Sequence, residues 1–281
     1  DALPISALGN QADRDKLMTV TILFGGTNKE RLVSVASAQA LHRALPGAEL
    51  WFWDVDDTVH AVTSEQLLGH ARPFEVDFRP PGHGIALDQA LDKASAEQRV
   101  LVLGLHGGRA ENGELQAMCE MRGVAFTGSG SASSHLAFDK PSAKRFAAIA
   151  GINAPQGISV EQIDDAFAKH GKLIAKPAKD GSSYGLIFVN AQQDLVAVRN
   201  AAKHEDYLIE PFVSGVEATC GVLEQSDGSV FALPPIEIVP AEGGFDYTAK
   251  YLLKSTQEIC PGRFAPEVSA EIGRASCRER V

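Results

Sequence analysis

The sequence of 281 residues has little cysteine, no excess of basic charge and no long apolar segment. Four cysteines without CxxC spacing are too few and too irregular for a disulfide framework or a zinc site. Acidic residues outnumber basic ones by 36 to 26, which argues against a broad surface for nucleic acid. Apolar runs such as Val100 to Leu105 have strand length, far below the roughly 20 residues that span a bilayer. We therefore expect a cytoplasmic protein with no membrane segment and no nucleic-acid partner.

Both ends of the sequence differ in pattern from the rest. The tail Glu271–Val281 has no hydrophobic period and resembles a translated sequencing-library adapter, and Asp1–Ser6 resembles the translated opposite strand. The first methionine, Met18, directly precedes the apolar run Val20 to Phe24. We expect residues 1–17 to be a non-native leader, 271–281 to be a non-native tail, and the C-terminal part of the gene to be absent. Two frayed native termini are the alternative.

Apolar strands alternate with helical patterns from residue 18 to about 115. A β-turn-α unit opens the region, with Gly25-Gly26 after the first strand and Asn28 as the expected helix cap. Such alternation predicts a parallel sheet covered on both faces, as in a Rossmann-like domain. The strands predicted here are Thr19–Phe24, Glu49–Val55 and Val100–Leu105, and the helices are Leu87–Ala94 and Asn112–Met121.

The pattern changes to α+β from Asp139. Two strands flank a Gly-rich loop at residues 180–185, which predicts a hairpin. The elements predicted in this region are helices Lys140–Ala150 and Asp194–Lys203 and strands Lys172–Lys176, Leu186–Val189, Tyr207–Glu210, Glu217–Leu223 and Ser229–Val239.

The Gly-rich loop and two lysines are candidates for binding an anion. Small residues from Gly181 to Gly185 let backbone N–H groups converge on a ligand, although the loop is also compatible with an ordinary surface turn. Lys176 ends the incoming strand. Lys140 follows Asp139, which can cap a helix with Pro141 in its first turn, and it could equally be a solvated surface charge.

Three other residues stand at strand ends. Glu210 and Glu217 could accept ribose hydroxyls or be plain exposed charges. His106 follows a predicted parallel strand, at the edge where open α/β sheets bind ligands, or it could be structural. Gly25-Gly26 is not a GxGxxG fingerprint, so a nicotinamide site has little support.

Five sets of short segments occur in a specific order along the chain. They are Leu23–Gly26 with Glu30–Ser34, Leu105–Gly108 with Glu111–Gly113 and Gln116, Thr127–Gly130 with Asp139-Lys140, Ala175–Pro177 with Gly181–Ser183, and Phe245–Tyr251 with Cys260-Pro261. Together they resemble the D-alanine–D-alanine ligase family over nearly all of residues 18–264. The resemblance implies an ATP-grasp fold of mixed α/β and α+β class. Its expected parts are a Rossmann-like domain at 18–115, a central subdomain at 116–205 and an incomplete C-terminal subdomain at 206–270.

The resemblance also implies a reaction and its site residues. ATP would phosphorylate the carboxylate of one D-alanine, and the amine of a second would attack the acyl phosphate. Glu30 would hold the ammonium of the first D-alanine, His106 would line the same pocket, and Ser182 would face the substrate. Tyr251, on a covering loop, would link to Ser182 and Glu30 by hydrogen bonds. The residues expected around ATP are Lys140, Lys176 and Lys250 at the phosphates, Gly181, Ser182 and Ser183 above them, Glu210 and Val213 at the adenine, and Glu217 at the ribose.

Two residues depart from the family pattern, and some expected groups are missing. Asn112 stands where the family commonly has Asp, and Tyr184 replaces a smaller residue of the Gly loop. Magnesium should accompany ATP, but its ligands are expected beyond position 270 and none is nominated. The chain as given is accordingly expected to be catalytically inactive. The full-length protein is expected to be a homodimer.

Other functions remain open. The second substrate could be D-lactate or D-serine, although Ala249–Tyr251 favours the dipeptide-forming members. The chain could also be a nucleotide-binding module without catalysis. An NAD-dependent oxidoreductase rests only on the first β-turn-α unit.

Overall fold

The computed structural model describes residues 18–181, 183–240 and 256–278. The chain divides into two compact units, with the boundary between Leu136 and Ala137. None of the helices in the described residues is both long and apolar enough to cross a membrane.

The first unit is built on a six-stranded sheet in the order β4-β3-β2-β1-β5-β6. Four strands, β2, β1, β5 and β6, run parallel, and β3 and β4 extend the sheet in antiparallel fashion. The strands are β1 (Val20–Gly25), β2 (Glu49–Trp53), β3 (Thr58–Val62), β4 (Ile85–Ala86), β5 (Val100–Leu103) and β6 (Ala125–Phe126). The helices are α1 (Arg31–Ala44), α2 (Ser64–Leu68), α3 (Leu87–Ala96), α4 (Glu114–Met121) and α5 (Ser131–Phe138).

Helices cover both faces of this sheet. Because successive side chains of a strand point to opposite faces, β1 contributes Leu23 to one apolar cluster and Phe24 to the other. The first cluster includes side chains of α3 and α4, and the second includes side chains of α1 and α2. In the second cluster the rings of Phe24, Phe52 and Phe78 lie 5.1–5.8 Å apart. The predicted two-faced sheet is confirmed.

Three details of the first unit differ from the prediction. The sheet is not wholly parallel, since the unpredicted strands β3 and β4 pair in antiparallel fashion at one edge. Asn28 does not cap α1: Glu30 occupies the cap position, and the Asn28 side chain bonds to neighbouring backbone instead. The first unit also extends past the expected boundary at residue 115, because β6 pairs with β5.

Among its described residues, the second unit contains three small sheets, in the orders β8-β7-β9, β10-β13-β14 and β11-β12, and their pairings are antiparallel. Helices α7 and α8 bury one face of the first of these sheets around Ile163, Leu195 and Ile209. The strands are β7 (Leu173–Pro177), β8 (Ile187–Val189), β9 (Tyr207–Pro211), β10 (Glu217–Thr219), β11 (Val222–Glu224), β12 (Val230–Ala232), β13 (Ile236–Val239) and β14 (Gln257–Ile259). The helices are α6 (Lys140–Ile149), α7 (Ile163–His170), α8 (Leu195–Ala201) and α9 (Pro266–Arg278).

The hairpin predicted around the Gly-rich loop is confirmed, because β7 and β8 pair with Leu173 opposite Val189. Two longer predicted strands are wrong, since each is divided in two. Glu217–Leu223 separates into β10 and β11, which belong to different sheets. Ser229–Val239 separates into β12 and β13 at Pro234-Pro235, where proline supplies no backbone N–H for pairing.

Helix α9 runs through the boundary expected at residue 271. It packs against β12, and Gly273 lies close to Ala232. Residues 271–278 are therefore part of the helix, against the expectation that the tail has no helical pattern. Their non-native origin stays a prediction, and residues 1–17 lie outside the described residues.

An ion pair in the second unit predicts a dependence of stability on pH. The Arg263 guanidinium donates to both carboxylate oxygens of Glu237, at 2.7 and 2.9 Å, and the Arg263 backbone N–H donates at 3.0 Å. These bonds lower the pKa of Glu237 from 4.5 to about 2. Because the pKa is lower in the folded state, the ion pair contributes its full stabilisation above pH 4.5, and this contribution is lost as the pH falls toward 2.

We expect Glu237→Gln to lower the thermal midpoint at pH 7, and its difference from the parent to shrink between pH 4.5 and 2. Thermal unfolding across this range, followed by circular dichroism, measures the difference. Glu258→Gln, on exposed β14, is the matched control and should show little change. A Glu237→Gln difference that stays constant with pH would contradict the role of this ion pair.

Candidate functional site

The carboxyl ends of the parallel strands β1 and β5 are tied together by Ser34. Its hydroxyl donates to the Gly104 carbonyl at 2.5 Å and accepts from the Gly25 N–H at 2.7 Å. Gly25 has a φ of +100°, and a Cβ there would lie 2.4 Å from the Trp53 carbonyl oxygen. The turn after β1 therefore requires glycine, and it places the start of α1 beside the loop after β5.

Glu30 and His106 meet at this edge of the sheet. The Asn28 side chain accepts from the Glu30 N–H at 2.8 Å and donates to the His106 carbonyl at 2.9 Å. The Glu30 residue is only 5% exposed, and its carboxylate lies against Gly107. A buried carboxylate beside a side-chain-free turn is a suitable acceptor for a substrate ammonium.

His106 follows β5, and its side chain contacts Ser37 of α1. Its Nε2 lies 2.7 Å from the Ser37 hydroxyl. Burial lowers the pKa of His106, although the nearby charge of Glu111 opposes the shift. The predicted proximity of Glu30 and His106 therefore agrees with the geometry of the first unit.

Lys140 begins α6 in the second unit. The Asp139 carboxylate accepts from the Ser142 N–H at 2.9 Å and Pro141 lies in the first turn, so the predicted cap is confirmed. Lys140 Nζ donates to the carbonyl of Asp180, at the start of the Gly-rich loop. Burial, together with the positive charge of Lys176, lowers the pKa of Lys140. The charge of Lys176 acts on Lys140, so the two ammonium groups are candidates for binding an anion.

The Gly-rich loop belongs to residues 178–186, which connect β7 to β8. The Gly181 N–H donates to the Asp180 carboxylate at 2.7 Å, and Ser183 has a φ of +59°. Gly185 also has a positive φ, and a Cβ there would lie 2.7 Å from Pro177. The Tyr207 hydroxyl donates to the Gly185 carbonyl at 2.9 Å and fixes the far end of the turn. Ser182 lies outside the described residues.

Glu210 is buried between two lysines. Lys176 Nζ lies 2.7 Å from Oε2, and Lys144 Nζ contacts Oε1. Burial alone would raise the pKa of Glu210, but hydrogen bonds and charge from Lys144 and Lys176 outweigh it and hold the pKa below its ordinary value. Glu210 therefore remains an ionised acceptor. The sequence prediction missed Lys144, whose only signal is its place one helical turn after Lys140.

The remaining predicted site residues are exposed or lie outside the described residues. Val213 follows β9 and Glu217 begins β10, and both side chains are exposed to solvent. Lys250 and Tyr251 lie outside the described residues. Within the described ranges, no group of three or more His, Cys, Asp or Glu converges on a possible metal position. We therefore assign no magnesium ligand.

Comparison with known proteins agrees with this arrangement of elements. The family model described as D-ala D-ala ligase N-terminus matches residues 19–129, and that described as D-ala D-ala ligase C-terminus matches residues 161–279. The D-alanine–D-alanine ligase of Halalkalibacterium halodurans is 30% identical over 268 residues, which cover 93% of this chain and 78% of that protein. The chain belongs to the D-alanine–D-alanine ligase family.

Other members of the D-alanine–D-alanine ligase family support the same conclusion. The enzyme of Cupriavidus necator is 32% identical over 266 residues, covering 92% of this chain and 72% of that protein. The VanG D-Ala:D-Ser ligase of Enterococcus faecalis is 25% identical with a TM-score of 0.69, covering 93% and 81% of the two chains. The Coxiella burnetii D-alanine–D-alanine ligase, at 20% identity and a TM-score of 0.71, shares the fold over 93% and 76%. The predicted family and the ATP-grasp fold class are confirmed.

Proposed function

We propose that this protein is an ATP-dependent ligase that joins two D-alanine molecules through an acyl phosphate for peptidoglycan synthesis. The observation that carries the proposal is the cluster formed by Lys140, Lys176 and Glu210 beside the Gly-rich turn. It combines two lysine ammonium groups, which can bind phosphate, with a buried carboxylate near the C-terminal end of β9. Fixed cations of this kind stabilise the charge that develops in phosphoryl transfer.

Each described site residue has a role in this proposal. Lys140 and Lys176 bind the nucleotide phosphates, with Gly181 and Ser183 of the turn above them. Glu210 accepts from the adenine amino group, Val213 lines the adenine and Glu217 accepts from the ribose. Glu30 holds the ammonium of the first D-alanine, with His106 in the same pocket. These assignments, and those of Ser182, Lys250 and Tyr251, follow the family pattern.

Magnesium supplies charge neutralisation on the phosphates when it is bound. We also propose action in the cytoplasm as a homodimer, in line with the supply of a cytosolic nucleotide. We further propose that a central subdomain ends at residue 205 and a C-terminal subdomain begins at residue 206. The chemistry that the described residues account for is binding and orientation of ATP and of the first D-alanine.

A second candidate is a ligase that uses D-serine as its second substrate, and D-lactate is the related possibility. The likeness to the VanG D-Ala:D-Ser ligase supports it. Assays of the full-length gene product with D-alanine as first substrate and D-alanine, D-serine or D-lactate as second distinguish these activities by the mass of the product. A dominant product other than D-alanyl-D-alanine would favour this candidate.

Nucleotide selectivity tests the proposed site. A buried Glu210 carboxylate accepts from the amino group of adenine but opposes the carbonyl of guanine. Leaving such an acceptor unpaired costs about 1–3 kcal/mol, so we expect ATP to bind about tenfold more tightly than GTP. Calorimetry on the full chain measures both affinities.

The controls for this test are two substitutions of glutamate by glutamine. Glu210→Gln should narrow the ATP preference, because the amide can donate to guanine. Glu205→Gln removes an exposed charge near β9 and should leave the ratio unchanged. Failure of the parent chain to bind ATP, or equal affinities for ATP and GTP, would contradict the proposed function.

A further inference from the structure

Lys144 is a third lysine of the nucleotide-site cluster, and the family pattern gave it no role. It lies on α6 four residues after Lys140, on the same side of the helix. Its side chain is 22% exposed, and its Nζ donates both to Glu210 Oε1 and to the Pro155 carbonyl. A long side chain held at both of these partners is ordered rather than freely solvated.

The two oxygens of the Glu210 carboxylate are divided between two cations. Lys144 contacts Oε1, and Lys176 contacts Oε2 at 2.7 Å. These two lysines, from α6 and β7, are the charged groups that face Glu210 among the described residues. Any buried carboxylate that loses its counter-ions is strongly disfavoured.

Lys176 has two competing partners. In the proposed function Lys176 binds phosphate together with Lys140. The positive charges of these two lysines repel each other, which helps to lower the pKa of Lys140. In this structure Lys176 binds Glu210 instead. A nucleotide that draws Lys176 toward its phosphates therefore weakens one of the two ion pairs of Glu210. Lys144 also donates to the Pro155 carbonyl, so a nucleotide draws it away from Glu210 less easily than Lys176.

We propose that Lys144 is a positioning residue, which keeps the Glu210 carboxylate charged and in place while Lys176 turns to the nucleotide phosphates. This inference rests on the proposed function, because it requires ATP to bind at this cluster. Without Lys144, Glu210 would retain Lys176 as its remaining cation. Phosphate binding and adenine recognition would then compete for the same lysine.

A purely structural role for Lys144 is the alternative, in which it only joins α6 to the loop at Pro155. The two roles differ in their dependence on Glu210. If Lys144 acts through the Glu210 charge, then removing that charge removes the need for Lys144. If Lys144 only supports the loop, its removal costs the same with or without the charge.

A double-mutant cycle on the full chain separates these roles. We expect Lys144→Met to weaken ATP binding about 30-fold, the effect of one charged hydrogen bond, and Lys144→Arg to retain most of the affinity. In the Glu210→Gln background the same Lys144→Met change should cost less than about threefold. Lys169→Met is the control for loss of a lysine, because the Lys169 side chain lies on the exposed side of α7. Calorimetry measures affinity, and circular dichroism confirms folding.

Chemical rescue provides a second readout. Lys144 lines an open cavity of about 520 Å³, together with residues 151–157 and Leu208. Ethylammonium can therefore reach the place of the missing ammonium in a Lys144→Ala variant. We expect it to restore ATP binding there and to have no effect on the parent or on Lys144→Ala/Glu210→Gln.

Titration of the Glu210 carboxyl provides a readout without nucleotide. Carbon-13 NMR of the nucleotide-free chain should show a higher pKa for Glu210 in Lys144→Met than in the parent or in Lys144→Arg. An unchanged pKa, or equal costs of Lys144→Met in the two backgrounds, would overturn the inference while ATP still binds. A parent chain that does not bind ATP would instead contradict the proposed function, and with it the role of Lys144 in nucleotide binding.

Discussion

A Gly107→Ala variant is expected to lose most of its affinity for the first D-alanine and part of the stability of the first unit. Gly107 has a φ of +66°, and an added Cβ would lie 1.8 Å from Oε2 of Glu30 and 2.9 Å from its Cδ. Atoms cannot approach so closely, so either the carboxylate or the turn after His106 must move. Loss of a charged hydrogen bond predicts an affinity that is lower by about 10-fold to 100-fold.

Gly123→Ala is the matched control for this variant. Gly123 lies in the same unit with a φ of +65°, but nothing lies within 4 Å of an added Cβ. Gly123→Ala should lose about 1–2 kcal/mol because of its positive φ. Gly107 combines a φ of +66° with a ψ of 174°, a backbone region essentially restricted to glycine, so Gly107→Ala has a larger backbone cost. Only Gly107→Ala should lose more and bind D-alanine poorly.

Tryptophan fluorescence makes the comparison specific to the first unit. Both tryptophans of the chain, Trp51 and Trp53, lie on β2 within this unit. Urea unfolding gives the loss of stability, and titration with D-alanine gives the affinity. Equal effects of the two substitutions on D-alanine binding would show that Glu30 does not hold the substrate.

Local periodicity predicted the central elements of the fold, because buried elements carry a strong pattern. Strand β1 is apolar apart from Thr21 and α3 has a regular buried face, so both predictions lie within two residues of the observed ends. The cap at Asp139 was likewise predicted, because a carboxylate followed by Pro141 is a local signal.

Edge strands and strand divisions could not be predicted in this way. Strand β3 has only one buried side chain, Val59, and β4 has two residues, both exposed. Their pairing depends on the neighbouring strand rather than on their own sequence. The division between β12 and β13 had a signal in Pro234-Pro235, but the apolar residues around it suggested one continuous strand.

The site shows the same contrast between local and spatial information. The sequence singles out Lys140 and Lys176 in the ordered motifs and Glu210 at the end of a predicted strand, and the structure joins Lys176 to Glu210 directly. The proposed role of Lys144 depends on its contact with the buried Glu210, which lies 66 residues away along the chain. No local pattern of charges carries that information, since lysines at helical spacing are usually solvated.

Lys176→Ala is expected to weaken ATP binding about 30-fold, because a charged hydrogen bond to phosphate contributes on the order of 2 kcal/mol. The Glu210 contact adds a second consequence. Without Lys176, the carboxylate keeps Lys144 as its remaining cation, so Glu210 should stay ionised and the adenine site should persist. Binding of ATP and ADP should therefore decrease strongly, whereas binding of adenosine should change little.

Calorimetry with ATP, ADP and adenosine separates the phosphate contribution from the adenine contribution. Lys169→Ala is the control, since it removes a lysine from exposed α7, on the opposite side of the β8-β7-β9 sheet. Its affinities should equal those of the parent. An equal loss for adenosine and ATP in Lys176→Ala would show that Lys176 acts through Glu210 and not on phosphate. Unchanged ATP affinity would show that Lys176 does not bind the nucleotide. Lys176 would then only neutralise Glu210, a role that Lys144 can also fill.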